Sequence, residues 1–288
     1  MKYQKFVNGI TTAYMHKGGI KTLALGRLSA SWFRQIQADC AHIIDGADPS
    51  DVNDKRHVTN WTRPTGEVRQ FSLFNMSGKT EDTTGDYGYL GDVKKKNLVF
   101  PDLEGLSRFA RLFMPDLRNL RMNGMGPNSA LNAHEEGSIT ATRYGRQHIL
   151  RFHLPIFTNP GARMFLDDEW FRYEEGTLYF FHHGCVHAVA NDSSEPRDHL
   201  VLDCFLSKGL FRRLFPGQCS PDPEFRLVAT DAEAFVSQIS DHHFPDFVCE
   251  GGRVIEGPID YGRSVPHWTD WYRTNYPSVF SPLTRSPG

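Results

Sequence analysis

No window of this sequence approaches eighteen uninterrupted apolar residues, so a membrane-spanning helix is not expected. No apolar h-region follows Met1-Lys2-Tyr3-Gln4-Lys5; a signal peptide is unsupported and a cytoplasmic protein is expected. No basic block is longer than Lys94-Lys95-Lys96, and 32 Lys+Arg against 34 Asp+Glu leave a net charge of −2. The electrostatic footprint of a nucleic-acid binder is therefore missing. The five cysteines, Cys40, Cys185, Cys204, Cys219 and Cys249, are odd in number and contain no CxxC pair. That excludes a disulfide framework and a structural zinc site, and leaves reduced thiols used as small apolar residues. There is no internal repeat and no low-complexity tract. A hydrophobic share of 39% beside 23% charged residues excludes disordered and fibrous classes, and 288 residues suffice for one large or two small domains.

Ser29 or Ser31 can cap a helix whose apolar stripe is Trp32, Phe33, Ile36, Cys40, Ile43 and Ile44. The segments from Asp45 to Asp54 and from Met76 to Asp92 read as loops, with a strand from Arg69 to Phe74 between them. Leu103, Leu106, Phe109, Ala110 and Phe113 predict a second helix, capped by Asp102. From Leu117 the period changes to that of strands. Seven runs are expected: Leu117 to Met122, Ala130 to Glu136, His148 to Phe157, Arg163 to Leu166, Thr177 to His183, Cys185 to Asn191 and His199 to Phe205. Strands at this spacing predict a sandwich or jelly-roll barrel. Thr230 and Glu233 form a capping box for one short helix, and the aromatic segment from Pro266 to Phe280 is expected to pack on the barrel.

Seven of the thirteen histidines lie between residues 134 and 199. On a strand, His134 and Glu136 point to one face about 6.6 Å apart, close enough to converge on one ion, while Glu135 points away. Two histidines and one carboxylate with open positions form the site of non-heme Fe(II) oxygenases, so one ligand is missing. Within His182-His183-Gly184-Cys185-Val186-His187 two strands meet at a bend, and His187 is the better third ligand, on the face opposite Val186, Ala188 and Ala190. His182 and His183 are read as solvated or as outer partners of the site. The turn from Asn191 to Pro196 predicts an antiparallel hairpin that returns Arg197 to within a rung or two of His187, where its guanidinium can clamp a carboxylate. On the strand from His148 to Phe157, Leu150, Phe152, Leu154 and Ile156 share one face. Arg151 and His153 share the other, aimed into the same cavity.

The ordered run Arg151 to Pro160, Phe165-Leu166-Asp167, Glu175 to Phe180, His187 to Asn191 and Arg197 to Asp203 resembles the aspartyl/asparaginyl β-hydroxylase family, which includes bacterial proline cis-hydroxylases. The resemblance spans about residues 69–205. It implies a mainly β chain with flanking helices around a double-stranded β-helix (jelly-roll, cupin-like) core that binds Fe(II), 2-oxoglutarate and O₂. His134 and His187 match the iron-ligand histidines. Arg197 matches the arginine that holds the distal carboxylate of 2-oxoglutarate, and His153 a histidine of the cosubstrate site. Arg151 matches an arginine used for a substrate carboxylate. At Glu136 this chain departs from the family, whose members carry an Asp there or no acid at all. A retained acid argues against halogenation.

The implied activity is hydroxylation of an unactivated C–H bond with release of succinate and CO₂. The substrate is an amino acid or an amino-acid-derived, peptidyl or carrier-bound molecule. Arg69 and Arg163 join Arg151 as candidate substrate cations. Two alternatives stay open: a zinc-dependent hydrolase using His134, His187 and Glu136 with Glu135 as base, and a non-catalytic cupin-like binding module. One catalytic domain over 1–288 is expected, with N-terminal helices and outer strands in 1–116, the jelly-roll core in 117–207 and a C-terminal extension in 208–288.

Overall fold

The structure, a computed structural model, describes residues 21–46, 66–79, 96–134, 139–142, 145–166, 169–185, 187–214 and 222–227. Its strands are β1 (Thr22–Leu28), β2 (Val68–Ser72), β3 (Phe74–Asn75), β4 (Asn97–Leu98), β5 (Leu117–Met125), β6 (Ser129–His134) and β7 (Ile139–Thr142). They continue as β8 (Gly145–Phe157), β9 (Ala162–Leu166), β10 (Glu169–Phe171), β11 (Thr177–Phe181), β12 (His187–Asn191), β13 (Arg197–Phe205) and β14 (Phe225–Leu227). The helices are α1 (Ala30–Gly46), α2 (Glu104–Arg111) and α3 (Lys208–Leu214). All seven expected strands form, with ends shifted by a few residues.

An antiparallel major sheet runs β14-β1-β11-β8-β13-β5-β2, with β7 paired to β8, and a minor sheet runs β10-β9-β12-β6. This is a mainly β double-stranded β-helix. Strands from both ends of the chain, β1, β2 and β14, extend the major sheet beyond the 117–207 stretch expected to supply the core.

Alternation gives the major sheet two different faces. Leu150, Phe152, Leu154 and Ile156 of β8, with Leu200, Leu202 and Cys204 of β13, bury against Trp32, Ile36 and Cys40 of α1 and Phe109 and Phe113 beyond. Each large side chain buried here contributes about 1.5–3 kcal/mol. The opposite face looks toward the minor sheet, where Met125, Met164, Leu166, Tyr173, Phe181, Cys185 and Val189 form a smaller cluster. Cys40, Cys185 and Cys204 are buried free thiols. No helix among the described residues is long and apolar enough to cross a membrane.

Ser29 is the cap of α1: its hydroxyl accepts from the Trp32 N–H at 3.2 Å and donates to Glu224 at 2.9 Å, tying the helix to the turn before β14. Ser29→Ala should cost about 1 kcal/mol. Thermal melting should show this as a fall in Tm of about 2–4 °C. Asp102, by contrast, does not cap α2; Leu103 occupies that position without a side-chain hydrogen bond.

The main departure from the sequence reading concerns Asn191 to Pro196. β12 and β13 do not form a hairpin: β12 pairs with β6 and β9 in the minor sheet, β13 with β5 and β8 in the major one. The turn crosses between sheets and is held there by other crossings. Asn191 Nδ2 donates to Gly126 O at 2.9 Å, Asn128 N to Ser193 O at 3.1 Å, and Asp192 N to Gly161 O at 3.1 Å. Turn residues serve a hairpin and a crossover equally, so composition cannot separate the two. The capping box at Thr230 and the segment from Pro266 to Phe280 lie outside the described residues, as does most of both expected loops.

Candidate active site

The crossover places the candidate residues on two facing walls. On the minor sheet, His187 opens β12, and the backbone register sets it directly opposite His134 of β6. His187 is 3% exposed, and its Nδ1 lies 2.8 Å from the Cys185 carbonyl oxygen. A carbonyl only accepts, so Nδ1 carries the proton, and the lone pair of the neutral ring sits on Nε2, as a metal ligand requires. Glu136 and Glu135 lie outside the described residues. His182 and His183, read as solvated or as outer partners, are both buried.

On the major sheet, the odd-numbered residues of β8 and β13 face the cavity. His153 pairs in register with Tyr179 and Val201, and Arg151 with Phe181 and Asp203. The His153 ring packs 4.7 Å from Phe181, 6.2 Å from Tyr173 and 5.9 Å from His199, and Phe181 in turn lies 5.1 Å from His187. His153 thus stands one aromatic ring away from the candidate metal histidine.

Arg197 is buried at the far end of this wall. Its Nη2 lies 2.7 Å from His199 Nδ1 and 3.3 Å from Met164 Sδ, and no carboxylate among the described residues is in salt-bridge reach. Burial lowers the guanidinium pKa to about 10, against a partial offset from Asp198 and Tyr173, so it remains charged at neutral pH. His153 and His199 are pushed well below the ordinary imidazole value, by burial first and then by Arg197. Both are neutral at pH 7.

Among the described residues, several buried polar atoms on this wall lack partners: both ring nitrogens of His153, His199 Nε2, Asn123 Oδ1 and Arg121 Nε. Each such atom costs about 1–3 kcal/mol when left unsatisfied. Arg69 Nε, Asp198 Oδ1 and Arg213 Nε are likewise unsatisfied elsewhere, but the largest group lies on this wall, where a polar ligand can satisfy it.

The three candidate substrate cations differ in position: Arg151 lies on the expected face, Arg69 and Arg163 on the other. Arg151 is held by Asp203, Nε to Oδ1 at 2.7 Å and Nη2 to Oδ2 at 3.0 Å. Arg69 shares the side of β2 that carries Phe71, away from the cavity, 3.8 Å from Asp198 and from Glu67. Arg163 alternates with Met164 onto the outer side of β9, where it pairs with Asp192 and lies 4.6 Å from the Trp170 ring centroid. Neither Arg69 nor Arg163 reaches the cavity wall.

Reading the sequence missed Arg121, Asn123, Met164, Tyr173 and Asp203. Alternation was the available signal for three of them. Asn119, Arg121 and Asn123 on β5 interleave with Leu120 and Met122, and Arg197, His199 and Asp203 on β13 interleave with Leu200 and Leu202.

A double-stranded β-helix with buried cations and unsatisfied polar atoms on the inner face of its major sheet is the class of protein these observations define. Residues 87–206 match the aspartyl/asparaginyl β-hydroxylase family. That segment is similar to this family of hydroxylases. The match ends at the boundary the resemblance suggested and begins later than residue 69.

Among solved structures, the fold is similar to a Pseudomonas putida prolyl-4-hydroxylase at 17% identity, covering 69% of this chain and 97% of that one with a TM-score of 0.37. It is also similar to the viral collagen prolyl hydroxylase of Paramecium Bursaria Chlorella virus-1, solved as a 2OG complex, at 10% identity over 65% and 96% of the two chains with a TM-score of 0.37. A cupin domain of Schizosaccharomyces pombe Cnp3 matches at 9% identity over 35% and 64%, with a TM-score of 0.25. No curated protein sequence matches the chain.

Proposed function

We propose that the protein is an Fe(II)- and 2-oxoglutarate-dependent hydroxylase of an amino acid or an amino-acid-derived, peptidyl or carrier-bound substrate. The observation that carries the reading is Arg197: a buried guanidinium with no carboxylate partner among the described residues, beside orphaned nitrogens of His153 and His199. An α-keto dicarboxylate brings one carboxylate to Arg197 and acceptor oxygens to the neighbouring imidazoles. The residues fit the cosubstrate.

His187, with the His134 backbone opposite, fits an iron ligand pair, and Glu136 is the proposed acid. Iron bound there, with 2-oxoglutarate and O₂, supplies the oxidising power for C–H hydroxylation, while 2-oxoglutarate leaves as succinate and CO₂. The chain's own part is positional. Cys185 fixes the His187 tautomer through its carbonyl. Arg197 fixes the cosubstrate's far end, Met164 and Phe181 line the space between, and the buried walls exclude water. A zinc hydrolase would give Arg197 and His153 no work and leave the unpaired ring nitrogens of His153 unexplained.

The test is anaerobic addition of Fe(II) and then 2-oxoglutarate to the apo-protein, with the visible charge-transfer band of a chelated keto acid as readout. Wild type should show the band. Arg197→Ala should need at least about 30-fold more 2-oxoglutarate to reach half amplitude, since losing one side of a buried charge pair costs about 2 kcal/mol or more. A wild type that shows no band and binds zinc in its place would overturn the proposal.

A further inference from the structure

Arg197 and His199 stand two residues apart on β13 and so share one face of the strand. Arg197 Nη2 lies 2.7 Å from His199 Nδ1. A guanidinium carries only donors, so Nδ1 accepts. This contact fixes the state of the ring: Nδ1 keeps its lone pair, the proton sits on Nε2, and the imidazole is uncharged. From β9 of the minor sheet, Met164 Sδ takes the same Nη2 at 3.3 Å. Acceptors without charge, one from each sheet, therefore hold the guanidinium.

A carboxylate in the place of His199 would hold it differently. Arg–carboxylate pairs fill the planar fork and balance its charge, as the two contacts of Arg151 with Asp203 illustrate. Asp198, next to Arg197 in sequence, alternates onto the other face of β13, where its Oδ1 is 3.8 Å from Arg69 Nη2. Among the described residues, Arg197 is thus aimed without being neutralised.

His199 is itself braced. Its ring lies 6.5 Å from the Tyr173 ring at an interplanar angle of 20°, and 5.9 Å from His153, edge-on. The Thr22 hydroxyl donates to Phe180 O at 2.8 Å, so the Tyr173 hydroxyl is the donor in its 2.6 Å contact with Thr22 Oγ1. That phenol does not compete with Arg197 for Nδ1. His199 Nε2 is buried without a partner.

We propose that His199 is a positioning residue for Arg197, an uncharged acceptor that aims the guanidinium while leaving its charge for a carboxylate of the bound molecule, with Nε2–H as an adjoining donor. That this carboxylate belongs to 2-oxoglutarate rests on the reading above; the positioning itself does not.

Thermal melting of the metal-free full chain tests the proposal. The probes are glutarate, a dicarboxylate without the keto group that chelates iron, and its neutral diamide, glutaramide. Glutarate should raise the wild-type Tm and glutaramide should not. His199→Asn sets Oδ1 near the place of Nδ1 and keeps an uncharged acceptor, so it should respond within about threefold of the wild-type glutarate concentration. His199→Leu removes the acceptor and should need at least about tenfold more glutarate, the loss of one hydrogen bond to a charged group. His199→Asp supplies a charged acceptor: it should melt without ligand within a few degrees of wild type and yet give no glutarate shift. Nitrogen NMR of isotopically labelled histidine at pH 7 should find His199 Nδ1 unprotonated and Nε2 protonated.

A protonated Nδ1 would overturn the proposal, as would a wild type that ignores glutarate or responds equally to glutaramide. His199→Asn responding no better than His199→Leu would reduce the ring to packing, and His199→Asp responding like wild type would show that charge at this position is immaterial; either result overturns it. Should one of these two comparison variants fail to fold, the other still contrasts with His199→Asn. The hydroxylase reading fails separately: Fe(II) and 2-oxoglutarate would give no keto-acid band while the glutarate shift still followed the His199 substitutions.

Discussion

His187→Ala should release no measurable succinate from 2-oxoglutarate under conditions where wild type turns over. Disturbing only the outer partner of a metal ligand costs about 10–100-fold in affinity or activity, so removing the ligand itself should cost more than ~100-fold. The fold should survive. His187 opens β12 at the cavity end of the minor sheet, and the strand keeps its pairing with β6 and β9 through backbone groups that alanine also supplies. The check is therefore double: Fe(II) titration followed by the keto-acid band, and a melting curve. Full turnover in the variant would remove His187 from the metal site. A variant that loses both activity and folding would not assign the residue, and His187→Gln, closer in size, serves as the second measurement.

The next largest effect is expected on stability. Asp203→Asn removes the carboxylate that pairs with Arg151 and Arg121 and should destabilise the protein by about 3–5 kcal/mol, the cost of breaking a buried charge pair. At this chain length that is a drop in Tm of roughly 6–20 °C. Adding Arg151→Met to Asp203→Asn should recover part of the loss, because one unpaired cation goes with it; a double variant no more stable than the single one would show that the pair is not the source.

The same carboxylate shapes the acid limb. Burial alone would raise the Asp203 pKa, but Arg151 and Arg121, together with the Arg151 hydrogen bonds, hold it well below the usual carboxylate range. A depressed folded value means that the contribution is complete above the unfolded value near 3.8 and is lost as pH falls toward the folded one. The histidines act earlier. His153 and His199 take up protons in the unfolded chain below about 6.5 but resist them in the fold, so stability declines as pH drops through that value. Wild-type Tm against pH should show both declines, and Asp203→Asn a shallower acid decline, the remainder coming from Asp222 and Glu224, which Arg108 holds low.

Arg151 shows how far local pattern carries a functional reading. Alternation along β8 placed Arg151 and His153 on the cavity face, and they are there because Leu150, Phe152, Leu154 and Ile156 fix the register from the other side. What Arg151 touches was not legible. Its partner Asp203 lies on a strand 52 residues away, and only pairing in the major sheet brings the two carboxylate oxygens against the guanidinium. Arg69 and Arg163 make the same point in the opposite direction. Each is an arginine near the family segment, and each is turned from the cavity by the single-residue alternation of its strand.

By itself, the sequence determined the strand-rich core, the helix opened by Ser29, the apolar face of β8 and the ordered residues that resemble the β-hydroxylase family. These depend on period and on short motifs, which are local. The tertiary structure alone decided that Asn191 to Pro196 crosses between sheets, so that His187 and Arg197 belong to different sheets. It also gathered Arg121, Asn123, His199 and Asp203 around His153. Which strands lie side by side is set by long-range burial of two different sheet faces, and no spacing within a single strand records it.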